Sequence, residues 1–312
     1  MSTEGSTKAV IAALLANTGI AVTKFLAWIL TGASSLLAEA IHSVADAGNQ
    51  GLLLIGSKRA SREPTEQHPF GFGRERYIYA FIVSIVLFSV GGLFALYEAY
   101  HKYQELADDH GGESLLTSQW KWVPIVVLLA AIVMESFSFR TAIVESNKTR
   151  GDASWKEFIR RAKAPELPVV LLEDLAALLG LVFALVGVGV SLITGDLLWD
   201  VLGTTAIGLL LVVVAITLAI ETKSLLLGES AAPEARALIE QGILGDDTVE
   251  RIIHMRTLHV GPEEILVAAK IAVAPTESAQ VLSDTINSAE ERVRAAVPAA
   301  MHIYIEPDIY RP

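Results

Sequence analysis

Two apolar runs lie almost back to back in the second half of the chain, at about residues 168–193 and 197–224, with only TGD between them. Each exceeds the ~20 residues that an α-helix needs to cross a bilayer. Four further runs of that kind occupy about 8–32, 35–57, 78–101 and 122–144. Backbone groups in hydrocarbon must satisfy one another within the same segment, so runs of this length are constrained to be helices. The composition agrees: 52% of the 312 residues are apolar, the mean hydropathy is +0.48, and the charged residues gather in a few short stretches. The chain reads as an α-helical membrane protein with six spans in residues 1–228, followed by a polar segment, 229–312.

Loop charge orients the spans. Residues 58–77 carry Lys58, Arg59, Arg62, Arg74 and Arg76, and 140–166 carry seven Lys or Arg, whereas 102–121 set Lys102 and Lys121 against Glu105, Asp108, Asp109 and Glu113. The basic loops are expected in the cytoplasm, which places both chain ends there. MSTEGSTK leads directly into the first apolar run and reads as the start of an uncleaved span. With no cysteine, thiolate metal sites and disulfides are excluded, and a net charge of −11 argues against a nucleic-acid partner.

Polar residues inside the spans carry the functional signal. In LLAEAIHSVADAGNQ (36–50), Glu39, His42, Asp46, Asn49 and Gln50 fall on one stripe of a helix that advances about 100° per residue. An ionisable group at bilayer depth costs ~2.5–3.5 kcal/mol even on the lenient insertion scale, so the stripe calls for a partner, a water-filled cavity or a ligand. His42 and Asp46, spaced i and i+4, can turn an imidazole and a carboxylate toward one ion. The fifth span offers Glu173 and Asp174, and Ala176, Ala177, Gly180, Ala184 and Gly187 mark the face on which it should approach other helices. Asn17, Lys24 and Glu135 are expected to make helix-to-helix hydrogen bonds or a Lys–Glu pair. Because a metal ion displaces protons from its ligands, one imidazole and two or three carboxylates could exchange a divalent cation for H⁺. Spacing alone leaves zinc, manganese and iron open.

The tail has the texture of a soluble domain. A short helix is expected from Pro233, with Ala235, Leu238 and Ile239 facing inward. Strands follow at 249–260 and 263–274 around Gly261-Pro262, then a helix at about 276–296 and a strand at 301–307 with Met301, Ile303 and Ile305 inward. That order, αββαβ, suits a small α+β domain.

The six spans, the His42-x-x-x-Asp46 pair, the acidic fifth span, QHPFGFGRERY (67–77) and LLLGESAAPE (225–234) together resemble the cation diffusion facilitator family over nearly the whole chain. The resemblance implies efflux of a divalent cation, commonly Zn²⁺, by proton antiport and alternating access, in a homodimer joined through membrane helices and a cytoplasmic ferredoxin-like C-terminal domain. It implies a secondary transporter of the plasma (inner) membrane and not an enzyme, with protons as counter-ion and the metal (Zn²⁺ foremost, with Mn²⁺, Fe²⁺ or Co²⁺ also open) as cargo rather than a prosthetic group. His42, Asp46 and Asp174 match three of the family's four metal positions. Val170 stands at the fourth, and Glu173 is expected to reach into its place. The VLLED arrangement (170–174) resembles the subgroup that includes a mitochondrial zinc exporter. His68 matches one ligand of a second, loop-borne site whose partner position is Phe72, and Ile305, Glu306 and Pro307 occupy the usual tail positions, implying a dimerising rather than metal-sensing tail. A manganese- or iron-preferring exporter, and a metal sensor or scaffold without transport, are the alternative readings.

Overall fold

The computed structural model describes residues 3–31, 34–107 and 122–311, except for the side chains of 3–9, 27, 28, 30, 31, 34–39, 41, 42 and 107. The chain divides into two compact units, residues 1–58 with 78–222, and residues 59–77 with 223–312.

The first unit is helical. Its elements are α1 (Thr3–Thr31), α2 (Ser34–Ala60), α3 (Glu75–Val86), a π-helical segment (Leu87–Leu93), α4 (Phe94–Ala107), α5 (Val123–Arg150), a short α6 (Trp155–Arg161), α7 (Glu166–Thr194) and α8 (Leu198–Leu227). Among the described residues, the runs Glu75–Leu106, Val123–Arg150, Glu166–Thr194 and Leu198–Leu227 are long and apolar enough to cross a membrane, and α1 holds a shorter apolar stretch, Val10–Leu26. Large apolar side chains such as Val126, Phe137, Ile193 and Val213 point outward, as a lipid-facing surface requires. The core joins Leu53 of α2, Ala80 and Val83 of α3, Val169 and Val170 of α7, and Leu211, Ala215 and Leu218 of α8.

Glycine sets the closest helix contacts. A Cβ at Gly203 of α8 would stand 2.9 Å from the Phe183 carbonyl oxygen of α7, and one at Gly187 would stand 3.0 Å from the Trp199 carbonyl oxygen, so the two backbones meet directly. Gly195, with φ +74°, makes the left-handed cap that turns α7 toward α8, and its N–H donates to the Ser191 carbonyl at 2.9 Å. In the π-helical segment, a Cβ at Gly92 would lie 2.7 Å from Val212 Cγ2. The third expected span is therefore helical throughout, but carries one wide turn where it meets α8. The short α6 was not expected in the 140–166 loop; Ser154 caps it by accepting from the Glu157 N–H at 3.2 Å.

The second unit holds α9 (Pro233–Leu244), β1 (Arg251–Gly261), β2 (Glu264–Ala272), α10 (Ala279–Ala296) and β3 (His302–Asp308). The sheet order is β1-β2-β3, with β1 antiparallel to β2 (Thr257 opposite Val267) and β2 parallel to β3 (Val267 beside Ile303). Val267, Ala269 and Ile271 alternate inward from β2 and pack with Ile239 and Ile243 of α9 and Val293 of α10. Two inward assignments fail: Leu238 is 42% and Met301 55% exposed. The helix buries the 239/243 row instead, and Met301 precedes the strand, where the pleat no longer fixes its side.

The motif segment HPFGFGRERY packs inside this unit. A Cβ at Gly73 would meet the Gly261 Cα at 2.8 Å and Glu264 Oε2 at 2.8 Å, so the segment lies directly on the β1–β2 turn. Burial raises the Glu264 carboxyl above its ordinary value, opposed by the charge of His302 and reinforced by Glu263. A raised carboxyl takes up its proton more readily folded than unfolded, so ionisation weakens the fold as pH rises past about 4.5. Glu264→Gln is expected to raise the melting temperature at neutral pH and to lose that advantage near pH 4. A variant no more stable than the parent at pH 7, measured by thermal unfolding of the full chain, would contradict this assignment.

Candidate metal centre

The polar stripe of α2 turns into the bundle. Ser43, Asp46, Asn49 and Gln50 are all buried, and the helices against them present polar groups of their own: Asn17 and Lys24 from α1, Glu135 and Ser138 from α5, Glu173 and Asp174 from α7. The spacing of this second set follows from helical geometry. Glu135 and Ser138 are i and i+3 on one face, whereas Glu173 and Asp174 are neighbours that diverge by about 100°.

That divergence decides the contacts. The two Glu173 oxygens accept from Asn49 Nδ2 at 2.8 Å and Gln50 Nε2 at 2.9 Å, which clasps α7 to α2 through one carboxylate and two amides. Asn17 Nδ2 donates to Gln50 Oε1 at 3.4 Å and extends the chain of bonds to α1. Asp174 turns the other way and accepts from Ser138 Oγ of α5 at 2.8 Å through Oδ2. Lys24 Nζ donates to Ser43 Oγ at 3.0 Å, one turn before Asp46.

Three buried oxygens of this cluster accept no hydrogen bond among the described residues: Asp174 Oδ1, Glu135 Oε1 and Asn49 Oδ1. A buried polar atom without a partner costs ~1–3 kcal/mol, more for a charged group, and three within one cluster is a strong bias toward an electropositive occupant. A cavity of about 30 Å³ opens beside them, lined by Asn17, Lys24, Ser43, Asp46 and Glu135 on its polar side, and by Ala176, Ala177 and Gly180 among its apolar wall. That is room for one or two waters or a bare cation. The small-residue face of α7 expected to approach its neighbours thus divides: 176–180 borders the cavity and Gly187 meets α8.

Of the four residues expected to hold an ion, Asp46, Glu173 and Asp174 are buried in this cluster. His42 lies on α2, and its side chain is outside the described residues, as is that of Glu39. Among the described residues no three His or acidic side chains are gathered in a ready metal cage. Val170 is fully buried in the apolar core, and the Glu173 carboxylate accepts from amides of α2. Sequence reading had no role for Ser138 at the centre; its i+3 spacing from Glu135 was the available signal.

Three other histidines have structural partners. His68 stacks on Phe72 with ring centroids 4.7 Å apart, and the Arg62 guanidinium covers the same Phe72 ring at 3.9 Å. His302 meets the Phe70 ring edge-on at 5.2 Å, and the buried His259 places Nδ1 3.2 Å from the Gly261 carbonyl oxygen. Glu306 and Asp308 both pair with Lys270, at 3.1 and 3.0 Å. Those partners raise the Lys270 ammonium and Lys270 lowers the Asp308 carboxyl, so this corner of the sheet is charged at neutral pH.

A family model described as the cation efflux transmembrane domain matches residues 10–227. The proton-coupled zinc antiporter SLC30A9, mitochondrial, of Mus musculus is 34% identical over 271 residues, which is 86% of this chain and 46% of that protein. The Homo sapiens protein of the same name is 33% identical over 270 residues, with the same coverage of each chain. Metal tolerance protein C4 of Arabidopsis thaliana is 27% identical over 274 residues, 85% of this chain and 57% of that protein. The chain thus spans about half the length of these relatives.

The α2–α7 clasp makes a direct prediction. Asn49→Leu removes the donor to Glu173 Oε1 and should destabilise the solubilised protein by about 1–3 kcal/mol. Asn49→Asp sets two carboxylates together and should cost more. Denaturation of both variants checks the order, and an Asn49→Leu protein as stable as the parent would show that the clasp contributes nothing.

Proposed function

The chain belongs to the cation efflux, or cation diffusion facilitator, family, and from that premise we propose that it exports a divalent cation, Zn²⁺ foremost, in exchange for protons by alternating access. The observation that carries this reading is that Asp46 on α2 and Asp174 on α7 are both buried and within electrostatic reach of each other, with Asp174 Oδ1 left without a donor. His42 stands one turn before Asp46 and supplies the imidazole; Glu173, oriented by its two amides, is the further oxygen donor, since a carboxylate oxygen that accepts one hydrogen bond keeps a lone pair for a metal. The relatives named as proton-coupled zinc antiporters support the cargo and the counter-ion.

The assembly proposed is six spans in residues 1–228 and a ferredoxin-like αββαβ domain in 229–312 that joins two copies, together with the membrane helices. Both ends face the compartment that the metal leaves, which is the cytoplasm for a plasma (inner) membrane and the matrix for a mitochondrial one. A second reading, preference for Mn²⁺ or Fe²⁺, is favoured by the apolar packing of Val170, which leaves His42 as the site's one proposed imidazole and the rest oxygen.

The linkage works through protons on the ligands. The cation binds the deprotonated carboxylates and neutral imidazole, so metal entry releases protons and a lower pH on the far side strips the metal. In proteoliposomes with an internal pH dye, Zn²⁺ flux should accompany opposite proton flux. Asp46→Ala and Asp174→Ala should reduce it by about a hundredfold, as loss of one of few ligands does. Metal binding without flux would make the chain a sensor or scaffold. Flux unaffected by both substitutions would remove the site, and faster Mn²⁺ or Fe²⁺ flux at equal gradient would decide the cargo for the second reading.

A further inference from the structure

Lys24 is a basic side chain buried in the helical unit, and it stands among acids: it lines the same cavity as Asp46 and Glu135. Its Nζ donates to Ser43, one turn from Asp46 on the same face of α2, and it lies within electrostatic reach of Glu135. Glu135 is 2% exposed and its Oε1 accepts no hydrogen bond among the described residues. An ammonium on a four-carbon stem is a compact, mobile point charge that can shift by a few ångströms between neighbouring acceptors without moving its helix.

We propose that Lys24 is a resident cation of the transport path: its ammonium balances Asp46 when no metal is bound, and a bound metal displaces it toward Glu135, which serves as its parking carboxylate. The inference rests on the reading that Asp46 binds the metal. A divalent cation and an ammonium in one small cavity repel strongly at low effective dielectric, so one must yield. With Lys24 in place, metal affinity is held down, and the returning ammonium helps expel the ion once the site opens to the far side. Lys24 and Glu135 are positioning residues in this scheme, since neither touches the cargo.

The test is Zn²⁺ titration calorimetry at fixed pH on the full chain in detergent. Lys24→Met should lower the Kd by about tenfold or more, because the competing charge is gone. Lys24→Arg, which keeps the charge, should stay within about threefold of the parent. Glu135→Gln should raise the Kd about fivefold by returning the ammonium to Asp46, and should have no effect in a Lys24→Met background, because it acts only through Lys24. An unchanged Kd in Lys24→Met, or a Glu135→Gln effect that persists without Lys24, overturns the proposal. Should Lys24→Met fail to fold, the double variant, which removes one charge of each sign, still has to bind Zn²⁺ more tightly than the parent. A parent that binds no Zn²⁺, or an Asp46→Ala variant that binds as the parent does, defeats the underlying site instead.

Discussion

Two side-chain amides on consecutive residues of α2 meet the two oxygens of one carboxylate on α7, and most of the central geometry follows from that contact. Consecutive helical residues point about 100° apart, so Asn49 and Gln50 can converge on Glu173 only if α7 passes through the notch between them. The clasp therefore fixes both the height and the rotation of α7 against α2. With Glu173 held there, Asp174 is forced around the helix toward α5, where Ser138 meets one of its oxygens. Inside a low-dielectric bundle the directionality of such hydrogen bonds is costly to violate. Packing of the apolar faces could tolerate a sliding helix; this contact cannot.

Around that fixed point α8 is placed by small residues more than by polar contacts. Gly187 and Gly203 let α7 and α8 approach backbone to backbone, and the wide π turn lets Gly92 sit against Val212 of α8. A ridge of larger side chains at either place would push α8 outward and open the wall of the cavity that Ile207 and Leu211 close. The third helix thus accepts an irregular turn, with its poorer backbone geometry, at the point where close approach to α8 is needed. Lys102 of α4 and Asp200 of α8, 3.3 Å apart, add a polar tie between those two helices.

Much of this was legible in the sequence where a single periodicity governed the outcome. The apolar runs gave helices over Val123–Arg150, Glu166–Thr194 and Leu198–Leu227 because in lipid a backbone of that length has no other solution. The inward turn of Asp46, Asn49 and Gln50 followed from the cost of exposing them to hydrocarbon. What escaped was pairwise. Sequence spacing cannot say which of two adjacent acids meets which helix, so the allotment of Glu173 to α2 and Asp174 to α5 could not be read. Nor could the filling of Val170's surroundings by apolar neighbours, since a missing ligand and a packed core position look alike until the third dimension is supplied. In the tail, Met301 lay just before its strand and Leu238 one position off the buried 239/243 row, where one residue of drift changes the face.

The fate of Val170 bears on selectivity more than its chemistry suggests. If α7 offered a side chain four residues before Asp174, both acidic helices would present matched i and i+4 pairs, and the cation would sit between two equivalent halves. With Val170 buried in the core, the acids that α7 offers to the proposed site are adjacent, and their surroundings differ: Glu173 carries two neutral amide donors, Asp174 a single hydroxyl and one oxygen without a donor. A carboxylate that already accepts two hydrogen bonds gains less from a metal than one left under-coordinated, so in the proposed site Asp174 would be the stronger lure and Glu173 the more fixed wall. The shell proposed here would be lopsided toward oxygen, with its softness resting on the imidazole proposed from His42. Zinc preference in such a site therefore hangs on His42, whereas in a symmetric site it would be shared between two helices.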